Sequence, residues 1–202
     1  MGYDSKLKRQ IILIGGAPTS GKSTIARTLS KTLHVPWIST DAIREMMRKL
    51  VDPKQFPNIF YFNKFTPVQY LTKHTAWQVV THENKESAEV WKGVTALLRA
   101  DAAWESCIVE GVAILPHLVH RAYGKDKSVR PLLLTTEDPK RIRKIVFTRG
   151  LWDDAHTYPD SVKEKEVAWV LEFNCWLKKE ARKYRYPTFD VSEVKKIVAY
   201  LR

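Results

Sequence analysis

Apolar and polar positions follow two rhythms along this chain, and together they predict strands interleaved with helices. Gln10-Ile11-Ile12-Leu13-Ile14 is a short, Ile-rich run of the kind that forms a strand buried on both faces. Ile25, Ala26, Leu29 and Leu33 then recur at helical spacing. Pro36-Trp37-Ile38-Ser39 predicts a second strand, followed by a helix from about Asp41 to Leu50. Helical patterning resumes at Pro67, for which Thr66 is a fitting cap, runs to about His82, and runs again from Asn84 to Glu105. Cys107 to Gly111 and Val129 to Leu134 read as further strands. Asp138-Pro139 caps a helix that reaches Arg149, where Gly150 stops it. A long amphipathic helix covers about Ser161 to Lys183, with Val167, Val170, Leu171, Leu177 and Ala181 on one side. Thr188 to Val191 is a last strand, and Ser192 caps a helix ending near Leu201. Strands alternating with helices imply an α/β fold, a mostly parallel sheet with helices on both faces. Right-handed crossovers then gather the loops at the strand C-terminal ends, so a site is expected there.

Between the first strand and the first helix lies Gly16-Ala17-Pro18-Thr19-Ser20-Gly21-Lys22-Ser23, which fits the phosphate-binding loop at every fixed position. The glycines let the backbone curl so that successive N–H groups face a phosphate chain, and the following helix adds its N-terminal dipole. Lys22 brings a compact charge to the outer phosphates, the Ser23 hydroxyl is placed for Mg²⁺, and Thr24 beside it belongs with the nucleotide-binding residues. The fold class is therefore a three-layer α/β/α P-loop NTPase with a helical lid.

The 202 residues carry no repeats, low-complexity stretches or Gly/Ser linkers, which fits a single domain spanning 1–202 with a lid at about 139–165. The polar stretch Trp152 to Asp160 is the expected lid tip. Val51 to Phe65, punctuated by Pro53 and Pro57 and rich in aromatics, is expected to fold over the site or to form a hydrophobic cover. No apolar run is long enough for a membrane span, and Met1 to Arg9 lacks the apolar stretch of a signal peptide. Cys107 and Cys175 sit inside apolar patterns and read as buried thiols, suiting a cytoplasmic protein. The net charge of +12 is spread over several predicted helices, where solvated faces are the ordinary explanation, but it also keeps a nucleic-acid partner open. Trp77, Trp91, Trp104, Trp169 and Trp176 fall on helices and read as core or interface.

Phosphoryl transfer needs phosphates held, Mg²⁺ bridged, an acceptor hydroxyl aligned and charge on the moving group neutralised. Asp41, just after the second strand, is the candidate to accept the hydroxyl proton or to hold a Mg²⁺-bound water. Arg44, one helical turn on, faces the same cleft and can clamp an anionic acceptor. Glu110 closes the third strand as a Mg²⁺-motif acid, and Gly111 beside it permits close approach. Arg141, Arg143 and Arg149 lie on the helix entering the lid; Arg141 and Arg149 can share a face, whereas Arg143 points elsewhere. Arg141 is assigned to the nucleotide and Arg149 to the transferring group. His117 and His120 have the spacing of a metal pair, with no third ligand in a matching pattern, so zinc is not expected.

Gly15-Gly16 through Ser23-Thr24, then Ile38-Ser39-Thr40-Asp41-Ala42-Ile43-Arg44-Glu45-Met46-Met47-Arg48, resembles the opening of 2-phosphoglycerate kinases. Glu110-Gly111-Val112 with Leu115-Pro116, the Asp138–Arg149 helix, and Tyr186-Pro187-Thr188-Phe189-Asp190 are similar to later segments of that family. The resemblance covers most of Gln10 to Ser192 and is tight only over the first forty or so of those residues. It implies ATP and Mg²⁺ as donor and transfer to a small phosphorylated acid. The nucleotide would be held by Gly16, Gly21, Lys22 and Ser23, the acceptor would be faced by Asp41 and Arg44, and Glu110 would serve metal or acceptor. Thr19-Ser20 departs from the glycine-containing loop interior expected there, and the Phe56–Phe65 region looks idiosyncratic. Polynucleotide 5′-kinases also carry an aspartate followed by an arginine three residues on, so an RNA or DNA 5′-hydroxyl is the rival acceptor. Antibiotic or sugar-derivative phosphotransferases of the same fold, which would favour a less anionic acceptor pocket, are a third reading. A non-catalytic nucleotide-binding switch is the reading outside enzymes.

Overall fold

Strand β1 (Ile11–Gly16) is buried at every position because parallel neighbours flank it on both edges. A computed structural model describes residues 9–100, 106–136, 138–149 and 157–201. Lys6, Trp104, Glu105, Gly150 and most of the expected lid tip lie outside the described residues. The sheet has five strands in the order β2-β3-β1-β4-β5, with β2 (Trp37–Ser39), β3 (Cys107–Glu110), β4 (Val129–Leu134) and β5 (Thr188–Phe189), each pairing parallel.

Alternation along β1 sorts its side chains into two cores. Ile12 and Ile14 meet Ile25 and Leu29 of α1 (Lys22–Leu33) and Ile197 and Leu201 of α8 (Val194–Leu201). Ile11 and Leu13 join the larger core on the other face. Its helices include α2 (Thr40–Leu50), α3 (Pro67–Lys73), α4 (Ala76–Arg99), α5 (Pro116–Tyr123), α6 (Pro139–Arg149) and α7 (Asp160–Lys183). The long helices α4 and α7 pack against each other, and α7 also carries α3 and α6.

Register places the chemistry. Glu110, the last residue of β3, lies level with Ile14 on one side and Ser39 on the other. The phosphate loop leaves one residue pair beyond Ile14, and Asp41 follows two residues beyond Ser39, so loop, Asp41 and Glu110 share one sheet edge. Gly111 is required where β3 ends. A Cβ there would sit 1.7 Å from Thr40 Oγ1, so only glycine lets the first turn of α2 pass.

Several elements differ from the pattern-based expectation. The helical interruption falls at His74 and Thr75, not near Asn84, and α4 runs unbroken through that position. Thr66 with Gln69 and Thr75 with Gln78 form two successive capping boxes, so local side-chain chemistry starts each helix. The short helix α5, opened by Pro116, escapes a pattern search because eight residues hold barely two turns. Ser192 does not cap α8; its N–H and hydroxyl donate to Asp190, while Glu193 accepts from the Asp190 N–H. Helix α2 starts at Thr40, capped by the Ser39 hydroxyl. Cys107 is buried as expected but Cys175 is exposed, on the outer side of α7. Trp91 and Trp169 are core residues, whereas Trp77 stands half in solvent at the start of α4. Among the described residues no helix is long and apolar enough to cross a membrane.

Candidate active site

The phosphate loop is strained and inward-facing. Gly21 takes a φ of 89° and caps α1, and a Cβ there would meet Val191 at 2.5 Å. Thr19 holds a φ of 67°, left-handed backbone that a β-branched residue adopts at a cost. This is the position where the sequence departs from a glycine-containing loop. The Thr19 and Ser20 hydroxyls are buried without a hydrogen-bond partner. Lys22 is buried and donates from Nζ to the Ala17 carbonyl over 2.8 Å. Burial pushes its pKa down, against the pull of Glu110, Asp41 and Glu83. An inward lysine, the orphaned Thr19 hydroxyl and a helix N-terminus make a cradle whose chemistry fits a phosphate-bearing anion.

The loop opens onto a cavity of about 350 Å³. Pro18, Thr19, Gly21, Lys22, Ser23 and Thr24 line it, and so do Asp41, Arg44, Glu110, Arg141 and Arg149. Gly16, Ala17 and Ser20 form the loop behind it. Ser23 donates to Glu110 Oε1 over 3.0 Å, while burial raises the Glu110 pKa against the opposing pull of Lys22. A hydroxyl beside a carboxylate, at the end of the phosphate loop, is a donor set that suits Mg²⁺. Asp41 is exposed and pairs with Arg44 at 3.2 Å, one turn apart on α2. Arg141 reaches Asp190 at 3.5 Å, and Arg149 faces the cavity from the end of α6. Arg143 turns away, paired with Glu164 and stacked over Phe147 at 4.1 Å. His117 lies 3.7 Å from Glu180, and His120 packs on Tyr184.

Sequence reasoning missed the other wall. Glu83 on α4 lines this cavity and also a neighbouring one of about 230 Å³, to which Arg44 is likewise common. Phe62, Phe65 and Tyr70 wall the second cavity, with Arg48 and Glu86 at its floor. The aromatic segment 51–65 thus borders the site as expected, through side chains around a short 3₁₀ turn at Phe62–Lys64. Glu86 is buried and binds Arg48 at 3.1 Å and Arg44 at 3.6 Å. The signal was present in the sequence. Glu83 and Glu86 interrupt an apolar helical stripe that includes Val79, Val80, Val90 and Val94.

The family described as chloramphenicol phosphotransferase-like protein matches residues 9–104. A gluconokinase from Sinorhizobium meliloti superposes with a TM-score of 0.51 at 14% identity, covering 96% of this chain and 90% of that one. A shikimate kinase from Acinetobacter baumannii in complex with shikimate gives 0.50 at 14% identity, covering 96% and 92%. The fold is that of P-loop kinases. An uncharacterized protein from Eubacterium ventriosum shares it too, with a TM-score of 0.50 at 11% identity and coverage of 95% and 98%. No curated protein matches the chain in sequence.

Proposed function

We propose that this P-loop kinase fold transfers the γ-phosphate of ATP to a hydroxyl of a small acceptor seated beside Glu83. The observation that carries the reading is the second cavity, which shares Arg44 and Glu83 as lining residues with the phosphate-loop cavity. A nucleotide-binding switch has no use for such an annexe. The named acceptors of the structural relatives, and the phosphotransferase family matching residues 9–104, support the same class of reaction.

The roles follow from position. Gly21, Lys22, Ser23 and Thr24 hold the phosphates, Ser23 and Glu110 hold the metal, and Arg141 and Arg149 close over the nucleotide from α6 as part of a lid. The bound nucleotide and Mg²⁺ supply the phosphoryl group and neutralise part of its charge. Asp41 takes the proton of the acceptor hydroxyl, and Lys22 and Arg149 stabilise the charge that develops on the phosphate oxygens.

The acceptor reading shifts away from 2-phosphoglycerate. Arg44 and Arg48, the cations facing the second cavity, are already paired with Asp41, Glu45 and Glu86, and three aromatic rings form the wall. An acceptor with an apolar part fits this lining better than a small polyanion does. The test is ADP release from Mg-ATP over a panel of hydroxyl compounds: uncharged aryl alcohols, polyols, 2-phosphoglycerate and a 5′-hydroxyl oligonucleotide. Release stimulated by a small alcohol supports the reading. Stimulation by 2-phosphoglycerate alone, or by the oligonucleotide alone, moves it to those acceptors, and release unaffected by any acceptor contradicts it.

A further inference from the structure

The chain is strongly basic, with a net charge of +12, yet the annexe is not. Around it Asp41, Glu45, Glu83 and Glu86 stand against Arg44 and Arg48. The arginines are shared among three of those acids: Arg44 meets Asp41 at 3.2 Å, Glu45 at 3.2 Å and Glu86 at 3.6 Å, and Arg48 meets Glu45 at 2.7 Å and Glu86 at 3.1 Å. Glu83 is the acid left over. Among the described residues it makes neither an ion pair nor a hydrogen bond, and it lines both cavities.

Part of the second cavity's wall is aromatic. Phe62 and Tyr70 have ring centroids 4.6 Å apart, and Phe65 and Tyr70 5.8 Å apart. Ring faces attract organic cations, and an unpaired carboxylate at the same cavity adds a counter-charge where it is ionised. Other groups facing Glu83 are Lys22 from the phosphate loop, Asp41, Arg44 and Arg48 from α2, Tyr70 from α3 and Glu86 from its own helix. Burial pushes Glu83 up to about 7, and burial and then Glu83 itself push Glu86 up to about 8. The pocket as it stands therefore disfavours its own negative charge, and a bound cation would remove that penalty.

We propose that Glu83 is the specificity-determining residue for the acceptor and that the acceptor is an amino alcohol. Its ammonium group sits between Glu83 and the Phe62, Phe65 and Tyr70 wall, and its hydroxyl faces Asp41. The fate of that hydroxyl rests on the phosphotransferase reading above; the cation site does not.

The experiment compares 2-amino-3-phenylpropan-1-ol with 3-phenylpropan-1-ol, which differ only in the ammonium group. Binding to the full chain is measured by calorimetry at pH 8 with a non-hydrolysable ATP analogue and Mg²⁺, alongside turnover with ATP. The ammonium compound is expected to bind about tenfold tighter. Glu83→Gln is expected to bring the two compounds level, and Glu83→Asp, which keeps the charge, to retain a preference. Equal affinities in the parent, or a preference that survives Glu83→Gln, overturns the proposal. Transfer to both alcohols without discrimination would leave the kinase reading standing and remove this one. A Glu83-dependent preference with no transfer to either would do the reverse.

Discussion

Ser23 at the start of α1 donates to Glu110 at the end of β3 over 3.0 Å, although 87 residues separate them. The contact exists because Ile14, which leads into the phosphate loop, is paired in register with Glu110. Helix start and strand end are thereby fixed relative to each other by sheet hydrogen bonds rather than by a loop.

The first prediction concerns that pair. Glu110→Gln keeps a hydrogen-bond partner for Ser23 but removes the charge that suits a divalent cation. The Mg²⁺ concentration needed for half-maximal turnover is expected to rise about tenfold or more, with metal-free nucleotide affinity little changed. Titration of Mg²⁺ at saturating nucleotide checks this, and an unshifted curve removes Glu110 from the metal site.

Asp41 is exposed, pairs with Arg44, and contributes nothing to the core. Asp41→Asn should therefore fold normally and bind nucleotide normally, while turnover falls by roughly 10²–10⁴-fold through loss of the base. Steady-state kinetics beside nucleotide titration separates the two effects. Collapse of nucleotide affinity with turnover preserved per bound complex would assign Asp41 to the metal and not to the acceptor.

Gly111 is a packing requirement at the site. Its substitution by alanine puts a methyl group 1.7 Å from Thr40 Oγ1 and 2.7 Å from Thr40 Cβ, in the turn that carries Asp41. Gly111→Ala is expected to destabilise the protein by about 1–3 kcal/mol in chemical unfolding and to lower turnover as well. Adding Thr40→Ala should restore part of the loss, since the Thr40 Cβ remains in the way. Unchanged stability in the single variant would show that α2 yields freely.

The fourth prediction is a pH dependence of stability. Glu166 on α7 is fully buried, and burial raises its pKa to about 7 although the Tyr158 hydroxyl donates to it at 2.8 Å. The native state then holds a proton that the unfolded chain releases above its ordinary pKa of about 4.3. Native-state excess protonation makes stability fall as pH rises from that value to about 7, and level off above. Glu83 and Glu86 contribute in the same direction, so the decisive comparison is with Glu166→Gln. Melting curves at pH 5 and pH 8 should differ less in that variant than in the parent; an equal difference would show that Glu166 does not titrate in this range.

The phosphate-loop half of the candidate site was legible because its spacing is local. Gly16 to Ser23 is one continuous segment, and Asp41 and Arg44 lie one turn apart on a single helix, so spacing alone puts them on one face. Arg141 and Arg149 share the cavity and Arg143 leaves it, which an eight-residue separation on one helix allows. The half lined by Glu83 and Glu86 is assembled by tertiary packing. Glu86 reaches Arg44 and Arg48, and Glu83 comes to line the same cavities as Arg44, only because α4 packs on α2, a contact that no short-range pattern announces. An assumed break at Asn84 hid the pair further, since it cut the stripe in which two acids stand out among valines. Cys175 shows the same limit on a smaller scale: an apolar neighbourhood in sequence did not bury it, because its own side of α7 faces outward.

The most direct measurement is recovery of labelled γ-phosphate in the acceptor, using the parent and Lys22→Ala side by side with Mg-ATP and the hydroxyl panel. Lys22 is buried against the Ala17 carbonyl and lines the phosphate-loop cavity, so its removal should leave the fold intact and take away the cation facing the phosphates. The account predicts labelled acceptor in the parent and at least about 10²-fold less in the variant. No labelled acceptor in the parent, or label carried equally well by Lys22→Ala, would contradict it.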